Sequence, residues 1–141
     1  MDKRVLLVDD EVAVLFAYRK CLRRIGCRVD AVETKEEAEI LLNRHKYDVA
    51  ILDLRLSSSD REEGIELISY ARKCQTDVKL VMITAYGSEE IKDQAYKHGA
   101  DLYLEKPVSI ELIQKIINSG AAQNHIQMQS DIEALRTKKS K

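Results

Sequence analysis

The sequence predicts a doubly wound α/β domain: five parallel strands in one sheet, helices on both faces, and a short C-terminal extension. Three observations predict it. Four apolar runs, "VLLV" (5–8), "VAIL" (49–52), "VKLVMI" (78–83, broken only by Lys79) and "LYL" (102–104), are separated by stretches of helical periodicity. Such runs suit strands buried on both faces, the condition of a parallel sheet. A further segment, "CRVDAV" (27–32), alternates instead, with Cys27, Val29 and Ala31 on one side and Arg28 and Asp30 on the other, as an edge strand does. The links are short, so the chain reads as five β-α units with right-handed crossovers.

Each helix has its own signals. In the first, Val12, Leu15, Phe16, Leu22 and Ile25 are expected to share the buried face. The second opens at "TKEE", where Thr34 and Glu37 have capping-box spacing, and buries Ala38, Leu41 and Leu42. Gly64 is expected to precede the third, which turns Leu67, Ile68, Ala71 and Cys74 inward. Ser88 caps the fourth, with Glu89 and Glu90 in its electropositive first turn, and Gly99 ends it. Ser109 caps the fifth, which buries Ile110, Ile113 and Ile117.

Length and composition bound the rest. The chain has 141 residues, 45% hydrophobic and 33% charged, which suits one globular domain and not two. Its net charge of -1 supplies no bulk attraction to nucleic acid or to a membrane. No apolar stretch approaches the roughly 18 residues of a membrane-spanning helix. "MDKRVLL" carries no signal-peptide apolar region, so a cytoplasmic location is expected. Cys21, Cys27 and Cys74 are odd in number and lack C-x-x-C spacing, which argues for reduced, largely buried thiols. His45, His98 and His125 fall away from the acidic segments. Residues 1–119 are assigned to the domain and 120–141 to a tail. Within the tail Met128, Ile132 and Leu135 recur at helical spacing, so a helix over 121–137 is expected, docked or self-associating. Lys138, Lys139 and Lys141 read as a solvated end, and direct contact with nucleic acid is not expected.

The chemistry-bearing residues gather at strand ends. Asp9 and Asp10 follow the first strand, Asp53 ends the third, Thr84 follows the fourth, and Lys106 follows the fifth. In a parallel sheet those ends share one edge, where open α/β sheets bind ligands. Each signal alone has an ordinary reading as a cap, a turn or a loop start; their joint placement at four strand ends outweighs it. If the strand order is 2-1-3-4-5, the first and third strands are neighbours, and Asp9, Asp10 and Asp53 converge. Converging carboxylates call for a hard divalent cation, and Mg²⁺ takes one or two of them together with waters and phosphate oxygens. Lys106 is a point charge suited to a phosphate, and the Thr84 hydroxyl can donate to another phosphate oxygen. The set describes a phosphoryl group on or beside a carboxylate.

"VLLVDDE", "VAILDLRL", "VMITAYG" and "LYLEKP" resemble the receiver domain of two-component response regulators, over about residues 3 to 118. The flavodoxin-like strand order 2-1-3-4-5 is taken from that resemblance. The resemblance implies that Asp53 is the phosphoacceptor and attacks the phosphohistidine of a sensor histidine kinase. It implies that Asp10, Asp53 and the backbone carbonyl of Arg55 ligate Mg²⁺, with Asp9 acting through water. Lys106 would bind the phosphoryl group, and Thr84 and Tyr103 would form the switch pair. Arg55 and Tyr86 would flank the path of the hydrolytic water, and the Lys106–Pro107 peptide would be cis. A stand-alone receiver is expected. It would catalyse only its own phosphorylation and dephosphorylation and act through contact with a downstream protein. Homodimerisation is expected through the tail or through the fourth helix, fifth strand and fifth helix.

The sequence departs from the family after the phosphoacceptor. In "DLRLSSSDREEGIEL" the family's Met-Pro is missing, and Gly64 lies eleven residues after Asp53, about three more than usual. The alternative is an aspartate-nucleophile phosphatase of the haloacid-dehalogenase type. That chemistry wants an acid two residues after the nucleophile, where this chain has Arg55, and an acidic pair late in the chain. A flavodoxin-like nucleotide binder would need Gly, Ser and Thr where Asp9, Asp10 and Glu11 stand.

Overall fold

The computed structural model describes residues 3–53, 61–85 and 87–119, with no side-chain description for 61 and 62. The expectations placed on Arg55, Tyr86 and residues 120–141 lie outside the described residues. The elements run β1 (Arg4–Val8), α1 (Val12–Arg24), β2 (Arg28–Val32), α2 (Lys35–Arg44), β3 (Val49–Asp53), α3 (Arg61–Cys74), β4 (Lys79–Thr84), α4 (Glu89–His98), β5 (Leu102–Glu105) and α5 (Ile110–Asn118). The strands form one parallel sheet in the order β2-β1-β3-β4-β5, as the sequence predicts.

Side-chain alternation along the strands builds two cores. Val5, Leu7, Val49, Ile51, Val81, Ile83, Leu102 and Leu104 face α1 and α5. Leu6, Val8, Ala50, Leu52, Leu80, Met82 and Tyr103 face α2, α3 and α4. A fully buried Leu or Ile contributes roughly 1.5–3 kcal/mol, and α5 alone buries Leu112, Ile113, Ile116 and Ile117. The helix starts follow their expected caps: Thr34, Ser88 and Ser109 accept hydrogen bonds from Glu37, Ile91 and Leu112 N–H. Gly99 ends α4 at φ 119°, a left-handed conformation that a side chain rarely adopts.

Three expectations need correction. In α1 only Leu15 and Leu22 are buried, while Val12, Phe16 and Ile25 are 62%, 68% and 40% exposed. At about 100° per residue, Leu15, Tyr18 and Leu22 make the stripe that meets the sheet. Val12 and Phe16 lie well round the helix from it, and Ile25 is the C-cap, past the last turn. Gly64 does not precede α3 but lies inside it, because the helix begins at Arg61. Part of the longer stretch between Asp53 and Gly64 is therefore helical, consistent with the helix-forming "REE". Cys74, the last residue of α3, is exposed, whereas Cys27 is buried and Cys21 intermediate. A position in the last turn carries it past the core and beside Asn43, with Sγ 3.7 Å from Oδ1.

Candidate functional site

Register explains why distant residues meet. Val8 pairs with Leu52, so Asp9 leaves β1 beside the end of β3, where Asp53 sits. Asp53 pairs with Ile83, and Thr84 is the next residue of β4. Thr84 pairs with Glu105, and Lys106 comes next. Backbone bonds hold these ends together: Asp9 N–H donates to Val32 O (3.1 Å) and Lys106 N–H donates to Thr84 O (2.9 Å). The Lys106–Pro107 peptide is cis, as the resemblance implies.

Asp9 and Asp53 are 4% exposed although both are acids. Lys106 Nζ forms an ion pair with Asp53 Oδ2 and lies 3.8 Å from Asp9 Oδ2. Asp9 Oδ1 also accepts from Glu11 N–H (2.9 Å), at the start of α1. Burial pushes Asp9 up to about 6, and the neighbouring Asp53 carboxyl adds to the effect against the opposing pull of the Glu11 amide and Lys106. Burial would lower Lys106, but Asp53 and Asp9 outweigh it and hold the ammonium charged.

A divalent cation fits this set. Carboxylate oxygens of Asp9, Asp10 and Glu11 lie within 4.8 Å of one another. Among the described residues Asp53 Oδ1, buried beside them, accepts no hydrogen bond. Clustered hard oxygen donors, one of them unsatisfied, are what a hard cation completes. Glu11 joins the cluster although the sequence reading gave it no ligand role; its place beside Asp9 and Asp10 was the available signal.

Tyr18 was missed as well. It lines a small cavity with Asp9, Asp53 and Lys106, and its hydroxyl donates to Val108 O (3.2 Å), just past the cis proline. Its spacing of three from Leu15 signals only a helix face. Tyr103 pairs with Met82, so it shares a sheet face with Thr84, two residues on. Both are buried, at 7% and 5% exposure. Tyr103 N–H donates to the Tyr96 hydroxyl (3.1 Å). The Tyr103 hydroxyl lies beside the Ser88 backbone without completing a hydrogen bond among the described residues, and burial raises its pKa. The structure thus brings Asp9, Asp10, Asp53 and Lys106 to one edge, sets Thr84 at the neighbouring strand end, and turns Tyr103 inward. His45 lies at the opposite edge, against Tyr47.

A doubly wound sheet with acids after β1, an acid ending β3 and a lysine before a cis proline after β5 defines a receiver-type site. The sequence matches the family model described as the response regulator receiver domain over residues 5–118. The chain belongs to that family, whose members serve two-component signal transduction. It is 36% identical over 106 residues to the alginate biosynthesis transcriptional regulatory protein AlgB of Pseudomonas aeruginosa, covering 75% of this chain and 23% of AlgB. It is 35% identical over 108 residues to the virulence transcriptional regulatory protein PhoP of Salmonella typhimurium, covering 77% of this chain and 47% of PhoP. The chain therefore spans less than half the length of these relatives. Among solved structures it resembles a response regulator from Burkholderia pseudomallei with a phosphorylated aspartic acid, calcium ion and citrate. That likeness has a TM-score of 0.79 and 30% identity, over 94% of this chain and 75% of that one. These likenesses run to response regulators, and none supports the haloacid-dehalogenase alternative. No helix among the described residues is long and apolar enough to cross a membrane.

Proposed function

We propose that Asp53 is the phosphoacceptor of this receiver and takes its phosphoryl group from a sensor histidine kinase. The observation that carries the reading is the buried Asp53 carboxylate, with Lys106 on one oxygen and no hydrogen bond on the other among the described residues. An Asp53 oxygen attacks phosphorus. The P–N bond to the kinase histidine breaks, its electron pair returns to the imidazole, and an acyl phosphate forms. Lys106 moves from the carboxylate to a phosphoryl oxygen, and the Thr84 hydroxyl donates to another. Bound Mg²⁺, held by Asp10, Asp53 and the Arg55 carbonyl and by Asp9 through water, would neutralise charge building on the phosphoryl oxygens. Tyr103, on the same sheet face as Thr84, carries the change towards α4 and β5. On this reading the chain catalyses only its own phosphorylation and dephosphorylation, works in the cytoplasm, and acts through a protein partner or a second copy of itself.

The exposed pair Val12 and Phe16, one helical turn apart at the start of α1, supports a protein as the phosphodonor. An apolar rim beside an acidic site favours a partner that docks over a small anion that merely diffuses in. The test is transfer from kinases of the source genome loaded with radiolabelled phosphate. Label should pass to this chain with Mg²⁺ and stop with a chelator. Transfer from none of them would overturn the histidine-kinase assignment.

A further inference from the structure

Tyr103 occupies a seat that only a glycine leaves open. A Cβ built on Gly87 would clash with the Tyr103 hydroxyl and lie 3.0 Å from its Cζ and 3.2 Å from Glu105 Oε1. Gly87 has no positive φ, unlike Gly26 and Gly99, so its backbone conformation is open to any L-residue. What a side chain there meets first is the hydroxyl end of the Tyr103 ring, with Glu105 Oε1 the next group in its way. The rest of the seat is closed: Tyr103 packs in the core that contains Met82, Ile91 and Ala95, and its own backbone N–H is held by Tyr96. The hydroxyl end therefore meets the β4–α4 link at its one residue without a side chain.

We propose that Gly87 is a positioning residue of the switch: its missing side chain admits the Tyr103 ring to its buried position, and a methyl group there would hold the ring outside. This inference rests on the reading of Thr84 and Tyr103 as the switch pair. It adds that the inward state depends on a backbone position three residues past Thr84. Phosphoryl transfer itself needs only the groups at Asp53, so a substitution at Gly87 should separate phosphorylation from output. A ligand or partner shifts such an equilibrium only by the difference in its affinity for the two states. Closing the inward state removes what a partner selective for it would select.

The test is a double-mutant cycle in the full chain, using G87A, Y103F and both together, read by melting temperature. Y103F deletes the overlapping oxygen and leaves a Cβ contact at 3.0 Å, which a shift of a few tenths of an ångström relieves. G87A should lower the melting temperature clearly in the parent and by less than half as much in the Y103F background. If G87A alone does not fold, recovery of a folded chain in G87A/Y103F supports the proposal. Equal losses in both backgrounds, or failure of both variants to fold, overturns it. Fluorotyrosine resonances, with Y103F assigning the Tyr103 signal, should show that ring buried in the parent and solvent-exposed in G87A; an unchanged signal also overturns the proposal. Labelling by acetyl phosphate is measured in parallel. Label on G87A equal to the parent is expected, and its loss overturns the separation of phosphorylation from output. Absence of label from the parent as well would strike the phosphoacceptor reading, while the stability cycle still decides the role of Gly87.

Discussion

At the scale of single residues, the site holds electrostatic tension that, on the proposed reading, a cation and a phosphoryl group release. Asp9 lies at 4% exposure with its carboxyl pushed up to about 6, first by burial and then by Asp53. A carboxylate raised in the folded state is held protonated there and ionised in the unfolded chain between its two pKa values. The metal-free protein should therefore lose stability as pH rises from about 4 to about 6, by at most about 3 kcal/mol, and level off above. D9N should flatten that slope and stabilise the metal-free protein at pH 7. Mg²⁺ should raise the parent's melting temperature most above pH 6, where Asp9 is ionised, and D9N should lose part of that gain. Melting curves at pH 5 and pH 7, with chelator or Mg²⁺, check all three. A metal-free stability that rises between pH 4 and pH 6, with no gain from Mg²⁺, would contradict this account.

At the scale of elements, the strands and capped helices were legible because local chemistry decides them. Continuous apolar runs needed two covered faces, and Thr34, Ser88 and Ser109 had an oxygen to offer the first orphan amides. Orientation was less legible. The apolar residues of α1 outnumber those the sheet can cover, and periodicity does not say which are left over. The leftover pair, Val12 and Phe16, gives the element its proposed docking role. F16S should slow phosphotransfer from the kinase about tenfold, the order of one exposed aromatic anchor. It should leave acetyl phosphate labelling and melting temperature unchanged, since Phe16 is 68% exposed. Equal rates from the kinase would remove α1 as the docking face. The start of α3 was misjudged for the opposite reason: Gly64 looked like a boundary, yet a glycine is tolerated inside a helix at about 1 kcal/mol.

At the scale of the whole molecule, the site exists because the topology brings four strand ends to one edge. No pair of these residues is close in sequence except Asp9 and Asp10, so their meeting could be read only by assuming a parallel sheet and a strand order. The order came from resemblance, while the parallel sheet came from the run pattern. Tyr18 stayed hidden because what marks it is proximity in space, whereas Glu11 stood next to Asp9 and Asp10 in the sequence and was given no ligand role. We propose that residues 1–119 form the self-sufficient receiver unit. Removing 120–141 should leave one cooperative unfolding transition, unchanged Mg²⁺ stabilisation and unchanged labelling by acetyl phosphate. It should reduce any self-association seen by sedimentation. A truncated chain that unfolds in a broad transition would place the tail within the fold instead.

The phosphoacceptor assignment is tested most directly by intact-protein mass after incubation with acetyl phosphate and Mg²⁺. One phosphoryl group should be added to the parent, none to D53N, and none to the parent when the cation is chelated. Normal labelling of D53N would contradict the account.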